Sequence, residues 1–161
     1  MKTIIFYIIL FALICSYASA QEITLFDSEG QARAYIDVNN SGMPIYLWDG
    51  EPVAYLKQSK TVGYSVYGFN GKHLGWFENG LLIDHEGYIC GFIKGAINKY
   101  TAYEPYKGYK QYLPYKAYPD YEPYKPYKKS FFLQHRWYCF YEKVNEFDYV
   151  QYLIILKKLL H

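Results

Sequence analysis

The apolar and polar positions divide the chain into four stretches of different rhythm. Ile4 to Ile14 is an unbroken apolar run. Residues 23–95 set short apolar and aromatic runs against polar breaks that end in glycine. From Tyr100 to Tyr127 a tyrosine falls on every third position, and residues 130–161 turn largely apolar again. The second stretch is an internal repeat of four segments: LFDSEGQARAYI (25–36), LWDGEPVAYL (47–56), GFNGKHLGWF (68–77) and LIDHEGYICGFI (82–93). Each has an apolar residue (Phe26, Trp48, Phe69, Ile83), a turn polar residue (Asp27, Asp49, Asn70, Asp84) and a glycine (Gly30, Gly50, Gly71, Gly87). Four positions past each glycine stands a small residue (Ala34, Ala54, Gly75, Gly91). An aromatic follows (Tyr35, Tyr55, Trp76, Phe92), then a large apolar residue (Ile36, Leu56, Phe77, Ile93).

This pattern predicts four β-hairpins, because runs rich in Ile, Leu, Tyr, Trp and Phe bounded by Asp/Asn and Gly read as half-buried strands joined by tight turns. Asp49-Gly50 and Asn70-Gly71 read as two-residue type I′ turns. Asp27-Ser28-Glu29-Gly30 and Asp84-His85-Glu86-Gly87 read as type I turns closed by a left-handed glycine bulge. One hairpin is marginal in water. Four similar ones bury their apolar faces together, which predicts an all-β fold: a shallow ring or barrel with pseudo-four-fold symmetry and no open edge. The small residues then lie where strands converge near the axis. The aromatics Tyr35, Tyr55, Trp76 and Phe92 line one face and are the candidate binding residues.

The four-fold recurrence of D/N-(x-x)-G-x-x-x-[AG]-aromatic, with YLWDGEPVAYL and YGFNGKHLGWFENG inside it, resembles the bacterial four-fold β-flower family over about residues 23–96. The Tyr/Lys/Pro tail is also similar to tails that follow that domain. The resemblance implies four hairpins arranged as petals in a shallow flower, and it implies no activity.

Lys2, the apolar run and Ala18-Ser19-Ala20 have the order of a cleavable export signal, with cleavage between Ala20 and Gln21. The run is too short to span a bilayer, which takes about 20 residues. The expected organisation is a leader at 1–20, the hairpin domain at 21–97, an extended tail at 98–129 and a C-terminal segment at 130–161. The protein is expected outside the cytoplasm, in periplasm or extracellular space. That compartment is oxidising and makes Cys90 and Cys139 a candidate disulfide pair, with two separate buried thiols as the alternative. Net charge is +2, and loss of Lys2 with the leader lowers it to +1, too near neutrality for a strong field toward nucleic acid.

Polyproline II has three residues per turn, so a period of three places the ten tail tyrosines on one edge. Pro105, Pro114, Pro119, Pro123 and Pro126 favour that backbone and oppose an α-helix. Fully extended at about 3.1 Å per residue, the tract spans roughly 85 Å. It reads as a spacer or as an adhesive arm whose tyrosines stack on sugars, aromatic surfaces or a partner groove. In the last segment, 146–160 suits a short amphipathic helix. Packing on the β domain is its expected role, ahead of pairing with another chain or lying on a membrane surface.

The chain lacks G-x-S-x-G, H-E-x-x-H, a P-loop and paired C-x-x-C, and His73, His85, His135 and His161 lack ligand spacing. The turn carboxylates have a structural cause, since Asx side chains cap their own turns. No cofactor and no metal is expected. The expected function is a non-catalytic binding or scaffold module of the bacterial envelope, its partner an envelope protein, a glycan or a second copy. A structural protein that assembles through its tail is the alternative, and a hydrolase using turn carboxylates is the remaining one.

Overall fold

The structure is a computed structural model that describes residues 22–61 and 63–129. The leader, the proposed cleavage site, Cys139 and the segment 130–161 lie outside the described residues. Eight strands follow in chain order: β1 (Glu22–Phe26), β2 (Ala32–Asp37), β3 (Pro44–Leu47), β4 (Pro52–Gln58), β5 (Tyr64–Gly68), β6 (His73–Glu78), β7 (Leu81–Ile83) and β8 (Ile89–Phe92). Each is antiparallel to the next, and β8 returns to β1 through the pair Phe26–Phe92, closing a barrel. The four predicted hairpins are β1–β2, β3–β4, β5–β6 and β7–β8.

Closure at eight strands leaves an interior just wide enough for side chains. The repeat fills it with one device used four times. A large aliphatic on the first strand of each hairpin faces a small residue on the second: Leu25 opposite Ala34, Ile45 opposite Ala54, Val66 opposite Gly75 and Leu82 opposite Gly91. These aliphatics are fully buried and share one cluster with Ile36, Val53, Leu56, Leu74 and Cys90. Each such side chain taken from water contributes about 1.5–3 kcal/mol. The small partners lie where backbone crowds backbone. A Cβ at Gly75 would overlap the Ile83 carbonyl on the neighbouring hairpin.

The turns correct part of the sequence reading. All four are the same: a residue whose carbonyl accepts from the N–H of the glycine three places on, and whose own N–H donates to the carbonyl four places on. The opening residues are Asp27, Leu47, Gly68 and Asp84. Asp49-Gly50 and Asn70-Gly71 are therefore the second half of four-residue turns, not type I′ pairs. Gly50 and Gly71 have φ of 94° and 86°, but neither Asp49 nor Asn70 is left-handed. The ladder slips by one residue just before every turn, as a glycine-closed bulge requires. The apolar alignment ahead of the turns shifts with it: the counterparts of Phe26 and Ile83 are Tyr46 and Tyr67, whereas Trp48 and Phe69 stand in the turns. Asp27 and Asp84 cap as expected, each carboxylate accepting two backbone N–H groups at 2.8 and 2.9 Å. A left-handed pair does occur at Asn79-Gly80 (φ 50° and 73°), between hairpins, where Glu78 pairs with Leu81.

Gly75→Ala is expected to lower unfolding stability by about 1–3 kcal/mol, even though hairpins one and two carry alanine at the same place. A denaturant midpoint equal to wild type would show that β6 and β7 have room for the methyl.

Candidate functional site

In a closed barrel, alternate residues leave the core and face outward. Tyr35, Tyr55, Trp76 and Phe92 do so, yet they are 1, 5, 1 and 0 % exposed. They do not line an open face. Each packs across a seam between successive hairpins. Tyr35 stacks on Tyr46 at 5.4 Å and Tyr55 on Tyr67 at 6.0 Å. Trp76 meets His73 at 4.6 Å and His85 at 5.4 Å, and Phe92 meets Phe26 at 6.0 Å.

The chain's own tail covers this outer surface at Tyr35, Tyr55 and Trp76, while Ala96 and Ile97 pack against the cluster of Phe26 and Phe92. Residues 100–129 form neither helix nor strand, and they run past the four hairpin tips in order. Ala102, Gln111, Asp120 and Lys129 donate their backbone N–H groups to the carbonyls of Gly30, Gly50, Gly71 and Gly87 at 2.8–3.0 Å. Gly108 and Ala117 donate likewise to Trp48 and Phe69 at 3.0 and 2.9 Å. The tail is thus no free spacer or arm over this length. Its contacts recur every nine residues, three turns of a three-residue helix, so every hairpin receives the same edge. The turn glycines have a second task here. A Cβ on Gly30, Gly50, Gly71 or Gly87 would overlap the carbonyl of Tyr100, Tyr109, Tyr118 or Tyr127.

Residues that follow a tyrosine supply most of the side-chain chemistry. At the first seam, the Lys107 ammonium lies 4.7 Å from the Tyr35 ring centre and 4.9 Å from that of Trp48, and donates to Glu22 Oε2 at 2.9 Å. Lys110 pairs with Glu22 Oε1 and Asp37 Oδ2, both at 2.7 Å, and lies 5.6 Å from both Tyr35 and Tyr46. At the second seam Lys116 sits 4.2 Å over Tyr55. At the third the charge reverses. Glu122 accepts from Ser59 Oγ at 2.6 Å, from the Lys60 N–H at 3.2 Å and from Trp76 Nε1 at 3.3 Å, while Lys125 pairs with Glu78. Lys129 ends the lap 4.1 Å over Tyr88.

The ionisation of these groups follows from their surroundings. Burial raises Tyr35 to about 12, and the Glu22 charge adds to it. Burial alone would also raise Glu22 and Asp37, but the lysine contacts outweigh it and hold both carboxyls below their ordinary range. Burial would lower Lys110, and its two carboxylates instead drive it upward. Glu122 is held low by its donors despite burial, and Lys116 is pushed down by burial.

A closed barrel of four like hairpins, each bound to one nine-residue unit of tail, is the arrangement to which a family comparison speaks. The family description 4-fold beta flower protein matches residues 23–141, most of the chain and the whole docked tail. The chain belongs to this family. No curated protein and no solved structure matches it. In this beta flower the petals are the hairpins, and the tail binds their tips together.

Sequence reasoning missed several parts of the site. Glu22, Asp37 and Glu122 carried no signal as isolated polar residues. His73 and His85, read as lacking ligand spacing, are joined across the third seam by a 2.8 Å Nδ1···Nε2 hydrogen bond. The nine-residue unit was readable: YTAYEPYKG, YKQYLPYKA and YPDYEPYKP repeat proline at the sixth place and lysine at the eighth. Cys90 is buried in β8, and its pairing with Cys139 falls outside the described residues. Among the described residues no three His, Cys, Asp or Glu side chains form a cluster able to hold a metal ion.

The Glu22–Asp37–Lys110 contacts predict acid release. Lowered carboxyls contribute above the unfolded carboxylate range, and that contribution disappears as pH falls through their folded values. Lys110, raised, keeps its charge until strongly alkaline pH. The radius of gyration from small-angle scattering should therefore hold from about pH 5 to 9 and grow below about pH 4, the ordinary carboxylate range. Lys110→Met should weaken docking by about 1–2 kcal/mol and speed lysine-directed proteolysis after Lys107 at pH 8.

Proposed function

We propose that this beta flower is an exported, non-catalytic binding or scaffold module of the bacterial envelope, and that it recognises its partner with the tyrosine edge of the tail. The observation that carries this reading is the exposure of all ten period-three tyrosines, from Tyr100 to Tyr127, each at least 79 % exposed. Docking directs the lysine and glutamate side chains and the backbone donors at the barrel and leaves the phenols outside. Soluble proteins rarely expose apolar surface on this scale without a partner. Phenol rings supply flat faces for stacking on sugar or aromatic groups and a hydroxyl for hydrogen bonding, at little loss of side-chain freedom. The barrel's part is to hold the tail in one conformation before binding, which lowers the ordering cost of association. Export rests on Lys2, the Ile4–Ile14 run and Ala18-Ser19-Ala20.

The test replaces Tyr103, Tyr106, Tyr112, Tyr115 and Tyr124 by Ser in mature protein, residues 21–161. These rings make no seam, so the barrel should keep its melting temperature. Retention on purified cell-wall glycan and on solubilised envelope extract is then compared with wild type. A loss of tenfold or more in retention is expected. Equal retention by the variant would place recognition elsewhere.

A further inference from the structure

The first seam is a built cation site. Tyr35 and Tyr46 stack at 5.4 Å, Trp48 stands edge-on to Tyr35 at 6.0 Å, and Glu22 and Asp37 flank them. Side chains at Glu22 and Asp37 are 18 and 13 % exposed. Aromatic faces with carboxylates beside them suit an ammonium, and here two are seated: Lys107 and Lys110, three residues apart on an extended chain. The occupant is a segment of the same molecule that the barrel does not need for closure. The ring of strand pairing runs from β1 to β8 and back to β1 without a tail residue. The tail is held by separable contacts: one or two backbone hydrogen bonds at each hairpin tip, with ion pairs and cation–ring contacts at the seams.

We propose that the tail is an exchangeable ligand, and that the barrel of one copy takes the tail of a second copy. Lys107 and Lys110 of the incoming tail enter the seam formed by Tyr35, Tyr46, Trp48, Glu22 and Asp37. The register of the exchanged tail is fixed by charge. A slip of nine residues would place Thr101 or Pro119 where Lys110 meets its two carboxylates. The same slip would place Leu113 where Glu122 accepts from Ser59 and Trp76, or carry Glu122 away from them. The tail's backbone repeats every nine residues, but its charges match the barrel in one register. A tail on its own barrel competes at a local concentration of order millimolar, so exchange is favoured where copies are crowded. This inference is independent of what the tyrosine edge binds.

Two full mature variants test it: Lys107→Glu combined with Lys110→Glu, and Glu22→Lys combined with Asp37→Lys. Alone, each puts like charges together at the first seam. Mixed, the two complement each other in both directions, because each barrel finds a tail of opposite charge on the other chain. Light scattering should show a two-copy species in the mixture that neither variant forms alone. A mixture that keeps the single-copy mass, with both variants matching the wild-type circular dichroism, overturns the proposal. Should a variant fail to fold, a fluorescent synthetic peptide of residues 100–129 is titrated into wild-type protein. Saturable binding, weakened tenfold or more by Lys107→Ala with Lys110→Ala in the peptide, is expected. No binding up to about 1 mM peptide contradicts it.

Discussion

The carbonyl groups of the four turn glycines control the arrangement of this molecule. A glycine-closed bulge ends every hairpin with a left-handed residue, and that residue's carbonyl accepts a hydrogen bond from the tail. The missing side chain lets the tail's own carbonyl pass within contact distance. Any other residue at these positions would strain the turn and block the tail at once. Because the barrel offers this acceptor four times at equal intervals of fold, the segment that binds it must repeat too. The nine-residue unit of the tail is the sequence counterpart of the four-fold barrel.

From that constraint the side-chain chemistry follows. Five of the six tail donors, all but Lys129, directly precede a tyrosine, so proline is admitted at that place only where no hydrogen bond is made. Pro105 and Pro114 fall midway between docking points, and Pro123 and Pro126 both lie between the donors Asp120 and Lys129. The residue after the tyrosine meets the seam at Lys107, Lys110, Lys116, Glu122 and Lys125: lysine over tyrosine rings and against carboxylates, glutamate against the Ser59 and Trp76 donors. The tyrosine itself is left to solvent. One extended segment thus sorts its residues into a backbone contact, a buried-edge contact and an exposed ring, with the three-residue period of polyproline II.

Much of the barrel was legible because its determinants are local. Glycines followed by a small residue and an aromatic mark the second strand of each hairpin, and the structure places Ala34, Ala54, Gly75 and Gly91 opposite the large core aliphatics. The segment ahead of each turn was harder. Leu47 and Gly68 open their turns without a carboxylate, so aligning on Asp49 and Asn70 displaced those two hairpins and suggested the wrong turn type. The aromatic row was found, but its exposure was not. Whether Tyr35 faces water or a lysine depends on a segment some seventy residues away, as Lys107 shows. The tail was read through its tyrosines, which make the strongest period and touch the barrel least. The informative residues were the weaker signals between them: one proline, one lysine and one small or polar donor every nine positions. Glu22, Asp37 and Glu122 gain meaning only from the cations and donors that the fold brings to them.

The most direct measurement of this account is amide hydrogen exchange along the tail of the intact protein at neutral pH. The account predicts slowed exchange at Ala102, Gly108, Gln111, Ala117, Asp120 and Lys129, with Tyr103, Tyr106, Tyr112, Tyr115 and Tyr124 exchanging at the rate of an unstructured peptide. Uniformly fast exchange from residue 100 to 129 would contradict it, and would leave the barrel's aromatic seams uncovered.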